Sequence, residues 1–358
     1  VRARVQTRMT TADRAALGWN DELASWWDDR GEGSLLPGRI VRVDRGYAVV
    51  ATPAPFHADT SRLGDDVATG DWAVADPVTE AGPVIIAVFP RWSAIRRRDP
   101  SAPGSRPREQ VLAANLDTVF VLHALDRPTQ LERMERSLVI AWDSGAEPVV
   151  VLTKADLVDG AADVPGVDEV RRSIAAVAPG AAVHAVSNIT GTGLDALAPY
   201  LIPGRTVALI GESGAGKSTL INRLAGEELL ATGATRVGDA KGRHTTTARE
   251  LVTLPGGAIL IDTPGLRALG LWDSSLGLDL AFPDIFEIAA TCKFRDCRHD
   301  TEPGCAIRAA LEAGDLDPRR WESYRKMLAE IEDQAHRVER SREPGGRRPP
   351  PTVRREEW

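Results

Sequence analysis

The chain has few cysteines and no long apolar run. These two features limit the classes of protein to which it can belong. Its 358 residues include only three cysteines, all in the last fifth, which argues against a disulfide framework and predicts a reducing, cytoplasmic environment. No stretch approaches the roughly 20 apolar residues that cross a bilayer, so we expect no membrane partner. The start of the sequence lacks an apolar core before a small-residue cleavage site, and we expect no signal peptide.

The chain also has fewer basic than acidic residues. The formal net charge is −7, so the molecule as a whole should not attract nucleic acid, and any such contact needs a local basic patch. One candidate patch comprises Arg91, Arg96, Arg97, Arg98, Arg106 and Arg108. The other is the tail, with Arg337, Arg340, Arg342, Arg347, Arg348, Arg354 and Arg355. We interpret the tail, 336–358, as disordered because its arginines are mixed with glutamates and prolines.

The first part of the chain changes character near residue 37. Residues 1–36 form an extension with an amphipathic pattern and three tryptophans, to which the sequence assigns no role. Residues 37–98 contain short alternating strands separated by turn residues, which predicts a small β-barrel. Oligonucleotide-binding (OB) barrels have this layout, and so do barrels that bind only protein. A Pro/Gly/Ser-rich linker is expected at 99–109.

Residues 110–285 alternate between apolar strands and amphipathic helices. Predicted strands cover 117–122, 147–152, 182–186, 206–210 and 258–261, and predicted helices cover 130–142, 167–178 and 218–224. This spacing predicts an α/β domain with a mostly parallel sheet, whose ligands bind at the carboxyl ends of the strands. Residues 286–335 are predicted to form a separate helical domain.

A phosphate-binding loop follows the strand that ends at residue 210. The sequence from Gly211 to Ser218 fits G-x-x-x-x-G-K-[ST] and precedes a helical segment, the context that distinguishes the motif from a chance glycine-rich turn. Its backbone N–H groups would converge on phosphate oxygens at the helix N-terminus. Lys217 would reach the β- and γ-phosphates, and the Ser218 hydroxyl would bind magnesium. The predicted loop contacts are Gly211, Ser213, Gly214, Ala215, Gly216, Lys217, Ser218 and Thr219.

A second motif, T-K-A-D at 153–156, indicates which base is bound. The Asp156 carboxylate can accept hydrogen bonds from guanine N1 and its exocyclic amino group, whereas adenine would oppose it with acceptors. Lys154 would lie along the base plane, and Ser187 with Asn188 would support the base from its other side. Asparagine is commoner than Thr153 at the first position, so we expect lower base affinity. Guanine remains the predicted base.

Two segments near residue 250 would complete the phosphate end. The D-T-P-G sequence at 262–265 follows a strand, so Asp262 could hold a magnesium-bound water and the Gly265 N–H could contact the γ-phosphate. The polar stretch 241–247 could close over the nucleotide, with Thr246 completing the magnesium shell. Leu266 occupies the position where many GTPases carry a water-orienting glutamine. Another residue must therefore orient the attacking water.

All three cysteines belong to one further motif. Cys292-x4-Cys297-x-His299-x5-Cys305 supplies three thiolates and one imidazole, a fully protein-ligated tetrahedral set typical of structural zinc. The segment between them is too polar to form a core. Zinc would replace the apolar core that such a short segment lacks.

The order of these motifs is informative, because the base-reading motif precedes the phosphate loop. Together with Gln110 and the A-N-L-D sequence at 114–117, this order resembles ribosome small-subunit-dependent GTPase A, a family of circularly permuted GTPases. The resemblance covers about 37–330. It implies an OB-like barrel, a central permuted α/β P-loop GTPase domain and a C-terminal helical zinc-binding domain. It also implies a monomer with GTP/GDP, magnesium and one structural zinc.

The resemblance further implies GTP hydrolysis late in small-subunit maturation, with the small ribosomal subunit and its rRNA as partners. His244 is then expected to replace the missing glutamine and to act with Lys217 and Thr246. A contact between His244 and RNA or protein is the alternative. Two other functions remain open from the residues: a phosphotransferase acting on a metabolite, and an RNA-binding assembly protein whose nucleotide site is mainly structural.

Overall fold

The computed structural model describes residues 9–28, 34–63, 66–98, 109–158, 166–229, 250–262, 271 and 275–342. Within these ranges the chain forms a closed barrel, a six-stranded sheet flanked by helices, and a C-terminal group of helices. None of the described helices combines the length and apolar character needed to cross a bilayer. The predicted fold class, an OB-like barrel followed by an α/β domain and a helical region, is confirmed.

The barrel closes in the strand order β1-β2-β3-β5-β4. Its strands are β1 Leu36–Asp44, β2 Tyr47–Ala51, β3 Phe56–Asp59, β4 Trp72–Asp76 and β5 Val84–Val88. Alternate side chains such as Ile40, Val50 and Ile85 fill the interior, as the period of two requires. The sequence did not predict β3, because its four residues F-H-A-D include two polar ones.

The N-terminal extension covers the outside of this barrel. Its described part, 9–28, contains two short helices, α1 Thr11–Ala16 and α2 Asp21–Asp28. Trp19, Trp26 and Trp27 surround Phe89, with ring centroids 4.2–6.3 Å apart, and Trp19 also packs edge-on against the fully buried Trp72. The tryptophans therefore form a second apolar cluster on the barrel, and aromatic burial of this kind holds the extension in place.

A hairpin-like pair of strands connects the barrel to the next domain. β6 Ala94–Arg98 pairs antiparallel with β7 Glu109–Ala114. Two arginines of the predicted basic patch form ion pairs here: Arg91 pairs with the buried Asp71 at 2.6 Å, and the more exposed Arg96 pairs with Glu109 at 2.7 Å. Arg91 therefore contributes to the structure of the barrel, whereas Arg96 lies at the surface with a carboxylate beside it.

The central sheet has the strand order β10-β9-β8-β11-β13-β12 and is parallel except for β12. The strands are β8 Thr118–Ala124, β9 Glu147–Thr153, β10 Ala182–Ala185, β11 Thr206–Gly211, β12 Leu251–Thr253 and β13 Ile259–Asp262. The helices in this part of the chain are α3 Leu131–Asp143, α4 Val167–Val177 and α5 Lys217–Ala225. The central strands are almost entirely buried, as expected for a parallel sheet covered on both faces.

Among the described residues, four helices follow the sheet: α6 Ser275–Ala281, α7 Pro283–Ala289, α8 Ala306–Ala313 and α9 Pro318–Arg342. They are fixed to α3 by the fully buried carboxylate of Glu135, which accepts hydrogen bonds from Arg319, Arg320 and Ser323 at 2.6–3.1 Å. A buried carboxylate is tolerated only when it is paired and fully hydrogen-bonded. The contact therefore fixes the position of the last helix against the sheet domain.

A fully buried arginine joins the extension, the barrel and the sheet. The Arg39 guanidinium on β1 donates to the carbonyls of Leu17, Gly70 and Asn115 and to the Thr206 hydroxyl. Burial lowers its pKa to about 10, while the nearby carboxylates of Asp117 and Asp71 act in the opposite direction. Arg39 is therefore charged at neutral pH. Thr206 begins β11, so the arginine reaches the strand that leads to the phosphate loop.

The same junction yields a test with a matched control. Gly18 and Gly46 both have φ of +81°, but a Cβ on Gly18 would lie 2.5 Å from Gly204 O and 2.7 Å from Arg39 Nη1, whereas nothing lies within 4 Å at Gly46. Both alanine variants bear a left-handed penalty of about 1 kcal/mol. We expect Gly18→Ala to lower the thermal unfolding midpoint by about 4 °C or more beyond Gly46→Ala. Equal thermal unfolding midpoints for the two variants would contradict a close contact of Gly18 with Gly204 and Arg39.

Candidate functional site

The phosphate loop lies between β11 and α5, as its motif predicts. Gly214 and Gly216 have φ of +79° and +86°, in the left-handed region that favours glycine. The Lys217 ammonium donates to the carbonyls of Gly211 and Glu212 at 2.7 and 3.0 Å. Ser218 and Thr219 occupy the first turn of α5. A strand, a glycine-rich turn and a helix N-terminus therefore meet in the arrangement that binds phosphate.

The predicted base-reading residues come together at the ends of β9 and β10. Asp156 lies in a 3-10 turn directly after β9, and its Oδ1 accepts from the Ser187 hydroxyl at 2.5 Å. That hydroxyl oxygen accepts in turn from the backbone N–H groups of Ile189 and Thr190. The carboxylate is therefore oriented by a second strand end, as a base-reading group requires.

Two polar side chains connect this group to the phosphate loop. The buried Thr153 hydroxyl donates to Ala215 O at 2.8 Å. The Asn188 amide nitrogen lies 3.5 Å from Gly216 O and donates to it. The predicted base-reading and phosphate-binding residues therefore form one continuous site.

Asp126 and Arg127 also belong to this site, and the sequence did not single them out. The Asp126 carboxylate forms an ion pair with the Lys154 ammonium, and Arg127 Nη1 donates to Ser213 O at 3.2 Å. Partial burial raises the pKa of Asp126, but hydrogen bonds from Lys154 and Arg127 outweigh it and leave that pKa below its ordinary value. Their position immediately after β8 could have identified them, because it places them at the same carboxyl edge of the sheet as the motifs.

The remaining predicted nucleotide contacts have different outcomes. Asp262 ends β13 and pairs in register with Leu209, two residues before Gly211, so it lies at the phosphate end of the sheet. Thr246, His244 and Gly265 lie outside the described residues. Their predicted roles stay predictions.

The three cysteines and His299 form a compact cluster between α7 and α8. Their four candidate ligand atoms all lie within 4.8 Å of one another. The Cys292 and Cys305 sulfurs are each 3.5 Å from His299 Nδ1. Zinc–ligand bonds of about 2.0 to 2.3 Å in tetrahedral geometry separate ligand atoms by about 3.5 to 3.8 Å. The donor set and its spacing therefore fit a structural zinc ion.

The loop around the cluster is shaped to present these ligands. His299 has φ of +61°, which turns the chain between Cys297 and Cys305. The Glu302 carboxylate accepts from the backbone N–H groups of Arg298, Asp300 and Thr301 at 2.9–3.1 Å. The His299 ring packs edge-on against Trp321 of α9. Loop hydrogen bonds and one aromatic contact therefore orient the cluster against the last helix.

Fold and site together define a circularly permuted P-loop GTPase, because the strand carrying the base-reading residues precedes the phosphate loop in the chain. The family model described as RsgA GTPase matches residues 88–272. A protein of Streptomyces avermitilis described as "Small ribosomal subunit biogenesis GTPase RsgA" is 46% identical over 87% of this chain and 84% of its own length. A protein of the same description from Methanosarcina acetivorans is 40% identical, over 90% and 86%.

Solved structures agree with this assignment. YjeQ from Thermotoga maritima matches with a TM-score of 0.58 and 25% identity, over 83% of this chain and 98% of that one. YloQ, described as a circularly permuted GTPase, shares the fold with a TM-score of 0.55 at 21% identity, over 85% and 98%. The chain belongs to the RsgA GTPase family, and the resemblance inferred from motif order is confirmed. It is accordingly a GTP-hydrolysing enzyme.

The metal cluster makes a direct prediction. Cys305→Ser removes one thiolate, so the purified variant should retain much less than one zinc per chain by elemental analysis, against about one for the unmodified protein. Its thermal midpoint should fall because ligation supplies folding free energy to a segment with little core. Ser323→Ala, which disturbs α9 through Glu135 and leaves all four ligands intact, is the control and should retain zinc. Full zinc occupancy in Cys305→Ser would contradict the assignment.

Proposed function

We propose that this chain hydrolyses GTP to GDP and phosphate in a cycle stimulated by the small ribosomal subunit, and that it acts late in maturation of that subunit through contact with its rRNA. The supporting observation is a joined guanine and phosphate site in a family whose relatives are described as small ribosomal subunit biogenesis GTPases. A ribosomal role in turn favours a cytoplasmic location. We also propose that the chain acts as a monomer.

The proposed nucleotide contacts follow from the positions of the side chains. Asp156, held by Ser187, accepts from the guanine edge, and Lys154, held by Asp126, lies along the base. Backbone N–H groups of the phosphate loop and the Lys217 ammonium hold the phosphates. Catalysis of phosphoryl transfer is mostly positioning and charge stabilisation. These groups would therefore prepare the γ-phosphate for attack by water.

Magnesium and zinc have different proposed roles. The Ser218 hydroxyl at the start of α5 and Thr246 would hold magnesium, and Asp262 at the end of β13 would hold a magnesium-bound water. The ion would neutralise charge on the β- and γ-phosphates. The Cys292, Cys297, His299 and Cys305 cluster would hold one zinc ion as a structural element. Magnesium would take part in the reaction, and zinc would stabilise the fold.

The proposed division of the chain follows the boundaries predicted from sequence. The units are an extension at 1–36, an OB-like barrel at 37–98, a linker at 99–109, a GTPase domain at 110–285, a zinc-binding domain at 286–335 and a basic tail at 336–358. The expected disorder of the tail does not hold for 336–342, because α9 continues to Arg342. Packing of Trp19, Trp26 and Trp27 on Phe89 supports counting the described residues 9–28 of the extension with the barrel.

The main competing function is an RNA-binding assembly protein whose nucleotide site is mainly structural. The two functions differ in one measurable quantity, steady-state GTP hydrolysis with and without isolated small ribosomal subunits at fixed salt. We expect stimulation of about tenfold or more, confined to GTP. ATP serves as the control nucleotide, and Lys217→Ala should remove the stimulated rate. Equal slow rates with and without subunits would contradict the proposal.

His244 is the proposed replacement for the glutamine that Leu266 displaces. If it orients the attacking water, His244→Ala should reduce subunit-stimulated kcat by about 100-fold or more, because positioned proton-transfer groups contribute that much. Affinity for a fluorescent GTP analogue should change little. Undiminished stimulated turnover would exclude the catalytic role. A normal kcat at saturating subunit, with weaker subunit binding, would instead identify His244 as an RNA or protein contact.

A further inference from the structure

Two side chains hold consecutive carbonyls of the phosphate loop from the base-reading side. Thr153 Oγ1 donates to Ala215 O at 2.8 Å, and Asn188 Nδ2 donates to Gly216 O at 3.5 Å. Thr153 is fully buried and Asn188 is 9% exposed. The two residues come from the ends of different strands, β9 and β10. We refer to them as the Thr153–Asn188 clip.

The clip occupies one small space above Gly216. A Cβ at Gly216 would lie 3.4 Å from both Thr153 Oγ1 and Asn188 Nδ2. These separations are ordinary van der Waals contact or slightly tighter, so the space beside the loop is filled. A longer side chain at 153 would therefore compete with Asn188 for the same volume.

The hydrogen bonds explain why an amide lies at 188. Threonine supplies one hydroxyl, whereas asparagine, the commoner residue at the first position of the base-reading motif, supplies an amide. Asn188 restores an amide donor beside the loop from the neighbouring strand. Its Oδ1 is buried and has no hydrogen-bond partner among the described residues. An unsatisfied buried acceptor destabilises a fold, so packing alone would favour an apolar residue at this position.

We propose that Asn188 is a positioning residue for nucleotide binding, which together with Thr153 holds the phosphate loop against the base-reading strands. The clip fixes the phosphate loop at a set distance from Asp156 and Ser187, so base and phosphates are held together. Loss of the clip lets the loop move away from the base-reading strands. The nucleotide then dissociates faster.

The test is a double-mutant cycle read by stopped-flow release of a fluorescent GDP analogue. Asn188→Ala should release nucleotide about fivefold to tenfold faster, the effect of one lost hydrogen bond. Thr153→Asn alone should also accelerate release, because its amide meets Asn188. The double variant, in which the asparagine at 153 takes the space vacated at 188, should return to within about threefold of the original rate.

Two further variants separate positioning from simple packing. Asn188→Leu keeps a side chain of similar size and removes the donor, so it should behave like Asn188→Ala. Ile202→Ala changes a side chain that is 45% exposed and has no role in the site, and it should leave the release rate unchanged. Thermal midpoints of all variants establish that each one is folded at the assay temperature.

The outcomes are distinct. If the effects of the two substitutions on the release rate simply multiply in the double variant, the proposed role of the clip is wrong. It is also wrong if Asn188→Leu retains the original release rate. The inference rests on the proposed nucleotide site, and the unmodified protein tests that site in the same experiment. If the unmodified protein fails to bind the GDP analogue, the proposed nucleotide site is wrong. If it binds while the cycle is additive, only the clip is wrong.

Discussion

The parallel register of β8, β9, β11 and β13 is the constraint on which the site depends. Ala124 pairs with Thr153, Gly211 pairs with Leu122 and Asp262 pairs with Leu209, so the strands end at the same edge, with a step of two residues from β8 to β11 and again from β11 to β13. Parallel strands present their carboxyl ends together, and loops there can carry polar groups without disturbing the buried sheet. Residues about 90 positions apart in the chain, such as Asp126 and Lys217, therefore serve one site.

Buried charge connects this site to the rest of the molecule. Arg39 joins the extension and barrel to the first residue of the strand that leads to the phosphate loop. Glu135 joins α3 to α9, and Glu330 of α9 accepts from both Arg136 and the Leu271 backbone N–H. Leu271 follows the D-T-P-G segment closely in the chain. The Arg39 and Glu135 contacts are costly to break, because removing one partner leaves a poorly compensated buried charge.

Much of the fold could be predicted because its signals are local. The P-loop pattern, the alternating strands and the cysteine spacing each need only neighbouring residues, and the structure places them as expected. Short β3 was missed because F-H-A-D has little apolar pattern. The extension was left without a role, since only the folded barrel shows Phe89 as the partner of its tryptophans. Asp126 and Arg127 were missed because they match no motif.

The sequence by itself determined the class of chemistry, because phosphate, guanine and metal recognition each require particular residue types at short, fixed spacings. It also determined the permuted order, which is a property of the chain alone. Tertiary structure decided which side chains share a site: that Asp126 pairs with Lys154, that Thr153 and Asn188 meet at Gly216, and that Arg39 is buried between domains. These contacts depend on strand order and packing, and the spacing of residues along the chain determines neither of them.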